Sequence, residues 1–163
     1  MERQVVIILP DIRSAQNVGS IFRSADGFGV SKIYLTGTTP VPVDKFGRAN
    51  SRITKTSLGA EKILSWDYQK TAVSVISKLK KDGFKIVAIE QDKKSVSLEK
   101  IKGQKIALVF GNEVLGLPKS ILNKCDQVAE IEMMGEKESF NVAVTCGIAL
   151  YEVSKSKPAG ARA

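Results

Sequence analysis

A chain of 163 residues with 43% hydrophobic and 26% charged residues has the size and composition of one soluble globular domain that can bury its own core. Two cysteines and no histidine supply neither a disulfide framework nor a usual zinc set, so both thiols are expected to be reduced and metal catalysis is disfavoured. The net charge of +8 favours polyanionic partners, because each lysine or arginine placed at a phosphate releases counterions. No apolar run approaches the ~20 residues that span a bilayer, and no signal segment is visible, which points to a cytoplasmic protein with no membrane partner.

The first predicted element is a strand at Val5–Leu9, a continuous β-branched run of the kind buried on both faces of a parallel sheet. A helix follows, with Val18, Ile21, Phe22, Ala25 and Phe28 at helical spacing. Ile33–Leu35 is the next strand. The polar, glycine-containing text between Gly37 and Trp66 reads as loops with one or two short helices. Ala72, Val75, Ile76 and Leu79 mark another helix, which Gly83 stops where left-handed backbone is wanted. Strands at Ile86–Ile89, Ile106–Phe110 and Val128–Ile131 complete a set of five. Pro118 suits the first turn of a short helix ending near Lys124. Val142, Cys146, Ala149, Leu150 and Val153 form the stripe of a C-terminal helix. This alternation predicts a three-layer α/β domain over residues 1–155 with a mostly parallel sheet, followed by a basic, frayed tail over 156–163.

Familiar ligand loops are missing. The turn after the first strand, Pro10-Asp11-Ile12-Arg13-Ser14-Ala15-Gln16, has no glycine, so it is not the dinucleotide fingerprint, and there is no Walker-type loop.

Three segments carry chemistry. In Asn17-Val18-Gly19-Ser20-Ile21-Phe22-Arg23, burial of the apolar face leaves Gln16, Ser20, Arg23 and Gly27 on another, where a guanidinium among small residues has room for a phosphate. The plainer alternative has Asn17 capping the helix and Arg23 in a surface ion pair. Gly111-Asn112-Glu113-Val114-Leu115-Gly116 directly follows a strand, at the sheet edge where open α/β folds bind ligands. There Glu113 either accepts hydrogen bonds in a site or is simply solvated. Ile131-Glu132-Met133-Met134-Gly135, then Ser139-Phe140-Asn141-Val142, reads as a strand end, a turn and a helix start capped by Ser139 or Asn141.

In this order and spacing, the motifs Asn-x-Gly-x-x-x-Arg, Gly-x-Glu-x-x-Gly and Ser-φ-Asn-Val resemble those of the SpoU/TrmH branch of the SPOUT superfamily, the tRNA and rRNA 2′-O-methyltransferases. The resemblance runs from about Val5 to Val153 and includes Ser57-Leu58-Gly59-Ala60. It implies a deep trefoil knot at the C-terminus, a rare exception to unthreaded topology, and a homodimer whose active sites draw on both subunits. It implies S-adenosylmethionine as cofactor, held by Ile89, Gly111, Ile131, Met133, Phe140 and Asn141. It places Arg23 beside the ribose hydroxyl, binding the neighbouring phosphate and orienting the nucleophile, with proton removal a further role open to it. Asn17, Glu113, Ser139 and Asn141 would arrange the hydroxyl and phosphate. With no separate RNA-binding domain in view, RNA would be met by Arg13, Arg48, Arg52, Lys55 and the tail, with tRNA slightly favoured over rRNA. Two positions depart from the family pattern: Glu132 stands where proline is common, and Phe140 where leucine is.

Rival readings are a knotted RNA-binding protein without catalysis, a base methyltransferase of another SPOUT branch, and a receiver- or flavodoxin-like module. Asp11 stands alone after the first strand, without the acidic pair a receiver needs.

Overall fold

The computed structural model describes residues 3–155, so the expected tail at 156–163 lies outside the described residues. Seven strands form one parallel sheet: β1 (Gln4–Pro10), β2 (Lys32–Thr36), β3 (Trp66–Gln69), β4 (Lys85–Ile89), β5 (Val96–Ser97), β6 (Lys105–Phe110) and β7 (Gln127–Glu130). Their spatial order is β3-β2-β1-β6-β4-β7-β5. The helices are α1 (Ala15–Gly27), α2 (Ser51–Ser57), α3 (Ala60–Ile63), α4 (Ala72–Lys81), α5 (Lys119–Leu122) and α6 (Val142–Lys155), with a single 3-10 turn at Leu98–Lys100.

The central strands are buried on both faces, as their unbroken apolar text demands. Alternate residues feed two cores. Val5, Ile7 and Leu9 of β1 join Ile106, Leu108 and Phe110 of β6 beneath α1, α2 and α6. Val6, Ile8, Ala107 and Val109 face α4 and α5 instead. The register Ile7↔Leu108 and Ile8↔Val109 keeps each set on its own side, since one residue of slip would exchange the faces.

Helix boundaries follow local chemistry. Ser14 caps α1, its hydroxyl accepting the N–H of Asn17, and Thr71 caps α4 in the same way through Ser74. α4 ends where Gly83 adopts φ +83°, with the N–H of Phe84 donating to the carbonyl of Leu79. Pro118 sits just before α5, and its carbonyl accepts from Ile121 and Leu122. Between α2 and α3 the chain turns through left-handed backbone at Leu58 (φ 51°) and Gly59 (φ 94°). The Ser57 hydroxyl donates to the buried carboxylate of Glu61 across that break.

Two strands go beyond the five expected from sequence. β3, Trp-Asp-Tyr-Gln, is an edge strand with half of its residues exposed, and β5 has only two residues. Edge strands need no continuous apolar run, so neither carried the expected signature. β7 ends at Glu130, which leaves Ile131 in the loop beyond it. The five stripe residues of the C-terminal helix, from Val142 to Val153, are all buried.

α1 packs against both α2 and α6. Gly19 sets the first of these approaches: a methyl group there would lie inside contact distance of the Ile53 carbonyl and the Thr56 hydroxyl. Thr56 Oγ1 donates across the same interface to the carbonyl of Gln16 at 2.9 Å. Replacing Gly19 by alanine is therefore an overpacking change, expected to cost about 1–3 kcal/mol. Urea unfolding checks it, and an unchanged midpoint would show that α2 can move away freely.

Candidate active site

The sheet order brings the carboxyl ends of β4, β6 and β7 side by side, the position where open α/β sheets form ligand crevices. A cavity of about 420 Å3 opens there. Ile89 closes it at the end of β4, Phe110 and Gly111 at the end of β6, and Glu130 and Ile131 at the end of β7. Ser139, Phe140 and Val142 form the wall ahead of α6. A neighbouring cavity of about 410 Å3 is lined by Arg13, Ser14, Asn17, Glu113, Ser139, Phe140 and Asn141. Glu113, Val114, Ser139, Phe140 and Val142 line both, so the two spaces adjoin.

Beside the smaller cavity a chain of hydrogen bonds unites the three motif segments. Glu113 lies against the start of α1, and its carboxylate accepts the N–H of Arg13 at 2.9 Å and of Ser14 at 3.1 Å. It also accepts the side-chain amide of Asn17 at 3.1 Å. Asn17 Oδ1 accepts from Asn141 Nδ2 at 3.1 Å. Asn141 caps α6, its Oδ1 accepting the N–H groups of Ala143 at 2.9 Å and Val144 at 3.3 Å. Donors and acceptors can be assigned from one end: the helix start takes Asn141 Oδ1, so Nδ2 must face Asn17 Oδ1, and Asn17 Nδ2 must face the carboxylate. Partial burial pushes the Glu113 carboxyl up, but the N–H groups of Arg13, Glu113 itself and Ser14, with the Asn17 amide, outweigh it and hold it below the usual glutamate value.

The loop after β6 is shaped by its own hydrogen bonds. Asn112 Oδ1 accepts from Val114 and Leu115, while its Nδ2 donates to the Asp11 carbonyl at 2.7 Å. A side chain at Gly111 would meet the Gly116 carbonyl carbon at 2.7 Å, and one at Gly116 would meet Glu90 Oε2 at 2.6 Å. Glu90 was not singled out from sequence, yet it ties two walls of the larger cavity together. Its carboxylate accepts the N–H of Leu117 at 3.1 Å and of Gln91 at 2.9 Å. An acid directly after a buried strand, at the ligand edge of the sheet, was the signal available for it.

Asn17, Glu113, Ser139 and Asn141 thus meet at one site. Ile89, Gly111, Ile131 and Phe140 line the larger cavity, whereas Asn141 lines only the smaller one and Met133 lines neither. Because Ser14 is the cap of α1, the side chain of Asn17 is free for Glu113, which corrects the capping alternative. Arg23 is exposed on α1, outside both cavities, with no salt bridge among the described residues. It stands six residues beyond Asn17, about 9 Å along the helix axis, so one chain does not bring it to the others. Arg13 and Arg52 line a third cavity of about 570 Å3 together with Asn50. Arg48 pairs with Asp44 at 2.8 Å, and Lys55 is exposed near the end of α2.

The sequence pattern of the SpoU rRNA Methylase family matches residues 4–151. The chain belongs to this family. It is 31% identical over 157 residues to the 23S rRNA (guanosine-2′-O-)-methyltransferase RlmB of Coxiella burnetii, covering 96% of this chain and 60% of that one. It is 29% identical over 152 residues to the tRNA (guanosine(18)-2′-O)-methyltransferase of Borreliella burgdorferi, covering 91% of this chain and 65% of the other. Among solved structures, the AdoMet-bound rRNA methyltransferase of Sinorhizobium meliloti superposes with a TM-score of 0.84 at 26% identity, over 95% of this chain and 57% of its own. The chain therefore spans about 60% of the length of these relatives. SpoU family membership covers both cavities and all three motif segments.

The depressed Glu113 carboxyl has a consequence for stability. Its folded-state pKa lies below the unfolded value of about 4.3, so its contribution is complete above that value and is lost as the pH falls through the folded one. Glu113→Gln is expected to remove this pH dependence. Urea midpoints followed from about pH 7 to about pH 3 should converge for wild type and variant at the acid end; parallel curves would contradict the assignment.

Proposed function

We propose that this chain transfers the methyl group of S-adenosylmethionine to a ribose 2′-hydroxyl of RNA, with tRNA placed slightly ahead of rRNA as the substrate pool, as a cytoplasmic homodimer. The observation that carries this reading is the hydrogen-bonded union of Glu113, Asn17 and Asn141 at the smaller of two adjoining cavities, with Glu113 lining both.

The larger cavity fits the cofactor chemically. Ile89, Leu117, Ile131 and Phe140 offer apolar walls to an adenine, while Glu90, Glu130 and Glu138 supply acceptors and negative charge to a cationic sulfonium and ammonium. Its volume lies within the ~300–1,000 Å3 of small-molecule sites. When bound, S-adenosylmethionine supplies an electrophilic methyl. The chain's part is to place the nucleophile in line with it and to keep the ribose from turning. Asn17, Ser139 and Asn141 are the polar groups beside the smaller cavity that would hold the target nucleotide, with Asn17 restrained by Glu113 and Asn141 by the start of α6. Arg13 and Arg52 continue the surface toward the flanking phosphates.

Arg23 fits this scheme in trans. On α6, Val144, Ile148 and Tyr151 are 50%, 36% and 54% exposed and recur at i, i+4 and i+7, an apolar stripe on a helix that packs against α1. A second copy seated on this stripe would carry its own Arg23 toward the partner's smaller cavity. There it would bind the phosphate and orient the hydroxyl. The domain would occupy residues 1–155, with 156–163 as an additional basic contact for RNA. The trefoil knot belongs to the same reading. What supports it is that β7 lies between β4 and β5, which are joined directly by 90–95, and that α6 then packs against α1 and the 3-10 turn after β5.

Transfer of labelled methyl from S-adenosylmethionine to bulk tRNA and rRNA, followed by nucleoside mass spectrometry, tests the reading. A 2′-O-methyl nucleoside is expected, reduced at least about a hundredfold in Arg23→Ala, the size of effect typical for loss of a group that stabilises a transition state. Mixing Arg23→Ala with Glu113→Ala subunits should restore one intact site per dimer. Cofactor binding without transfer would favour the RNA-binding rival, and a methylated base the other SPOUT branch.

A further inference from the structure

Between Pro42 and Asn50 the chain makes a small antiparallel hairpin that none of the three motif segments includes. Val43 bridges Ala49, and the N–H of Asn50 donates to the Pro42 carbonyl at 2.9 Å to close its base. Asp44 organises the tip. Its N–H donates to the Arg48 carbonyl, its Oδ1 accepts the N–H groups of Phe46 at 2.8 Å and Arg48 at 3.0 Å, and its Oδ2 accepts Arg48 Nε at 2.8 Å. Gly47 allows the turn at φ +77°. This frame presents Phe46, 69% exposed, with two cations over its ring: Lys45 Nζ at 5.1 Å and Arg48 Cζ at 5.0 Å from the centroid. A lone exposed phenylalanine is unremarkable. An aromatic ring held on a cross-braced turn and flanked by two cations matches what unpaired nucleotides require, a π-face to stack on beside positive charge for the phosphate.

Position supports the same conclusion. The hairpin leads straight into α2, where Asn50 and Arg52 line the cavity they share with Arg13 and Ser14, and those two residues also line the smaller site cavity. A continuous polar path therefore runs from the hairpin to Asn17 and Glu113.

We infer that Phe46, with Lys45 and Arg48, is a stacking platform for an unpaired nucleotide of the RNA that flanks the methylated one. This inference rests on the RNA-methylating reading above. A base stacks on the ring or on the Arg48 guanidinium plane, while Lys45 faces the adjoining phosphate. Arg48, expected from sequence as a phosphate contact, thereby acquires a second role through the ring beside it.

The test is binding of a labelled single-stranded oligoadenylate of about twelve nucleotides, followed by fluorescence anisotropy. Phe46→Ala is expected to weaken it about 5- to 160-fold, the range for loss of one base–aromatic stack. Phe46→Trp should bind within about twofold of wild type, and its emission, after subtraction of the Trp66 signal, should be quenched by the oligonucleotide. An abasic strand of equal length should bind wild type and Phe46→Ala alike. Wild-type affinity in Phe46→Ala, or equal weakening for the abasic strand, overturns the platform, as does failure of wild type to bind RNA at all. Methyl transfer measured on the same preparations separates the two readings. Transfer with no effect of Phe46→Ala on binding removes the platform alone; a base-dependent binding defect without transfer by wild type removes the methyltransferase reading and leaves the platform.

Discussion

The site depends on where one carboxylate goes. Glu113 follows a buried strand by three residues and could have pointed into solvent. Instead it meets the amino end of α1, where free N–H groups and the helix dipole favour an anion. Once it is there, Asn17 and Asn141 have no freedom left: each amide has one end committed to a helix start or a carboxylate, and the other end must follow. Segments roughly a hundred residues apart are joined in this way beside the smaller cavity.

The glycines of the motifs have a related but less direct part. Gly19 does not face the cavities; it lets α2 lie close on α1, and α2 carries Arg52 toward Arg13. Gly111 lets the loop after β6 fold back on itself, and Gly116 leaves space for Glu90. Gly135, of the same apparent kind in sequence, has nothing near the place its side chain would take. A glycine in a motif can thus shape a pocket from behind, by letting protein approach protein, as well as by letting a ligand approach backbone.

Much of the architecture was legible because burial on both faces leaves an unmistakable mark. β1, β4 and β6 carry runs of four or five apolar residues, and α1, α4 and α6 bury the positions their periodicity singled out, except that Phe28 lies just past α1 and is half-buried. β3 and β5 were not legible, since an edge strand is half solvated and two residues have no period. Asn17 illustrates the limit of local reading: it and Ser14 are both good caps, and only the position of Glu113 decides that Ser14 caps while Asn17 turns inward. The resemblance also named Met133 for the cofactor, and the loop that follows β7 carries it outside both cavities.

The sequence by itself determined the class of fold, the two-sided sheet, the helix stripes and the family, because these follow from hydrophobic period and from residue types at fixed spacing. Tertiary structure alone decided which motif residues meet. β6 lies beside β1, so the loop after it reaches α1; α6 lies on α1, so Asn141 reaches Asn17. Those neighbours arise from strand order and helix packing over separations of about a hundred residues, which no local period encodes. The same geometry leaves Arg23 about 9 Å further along α1 on an exposed face, apart from the residues that meet.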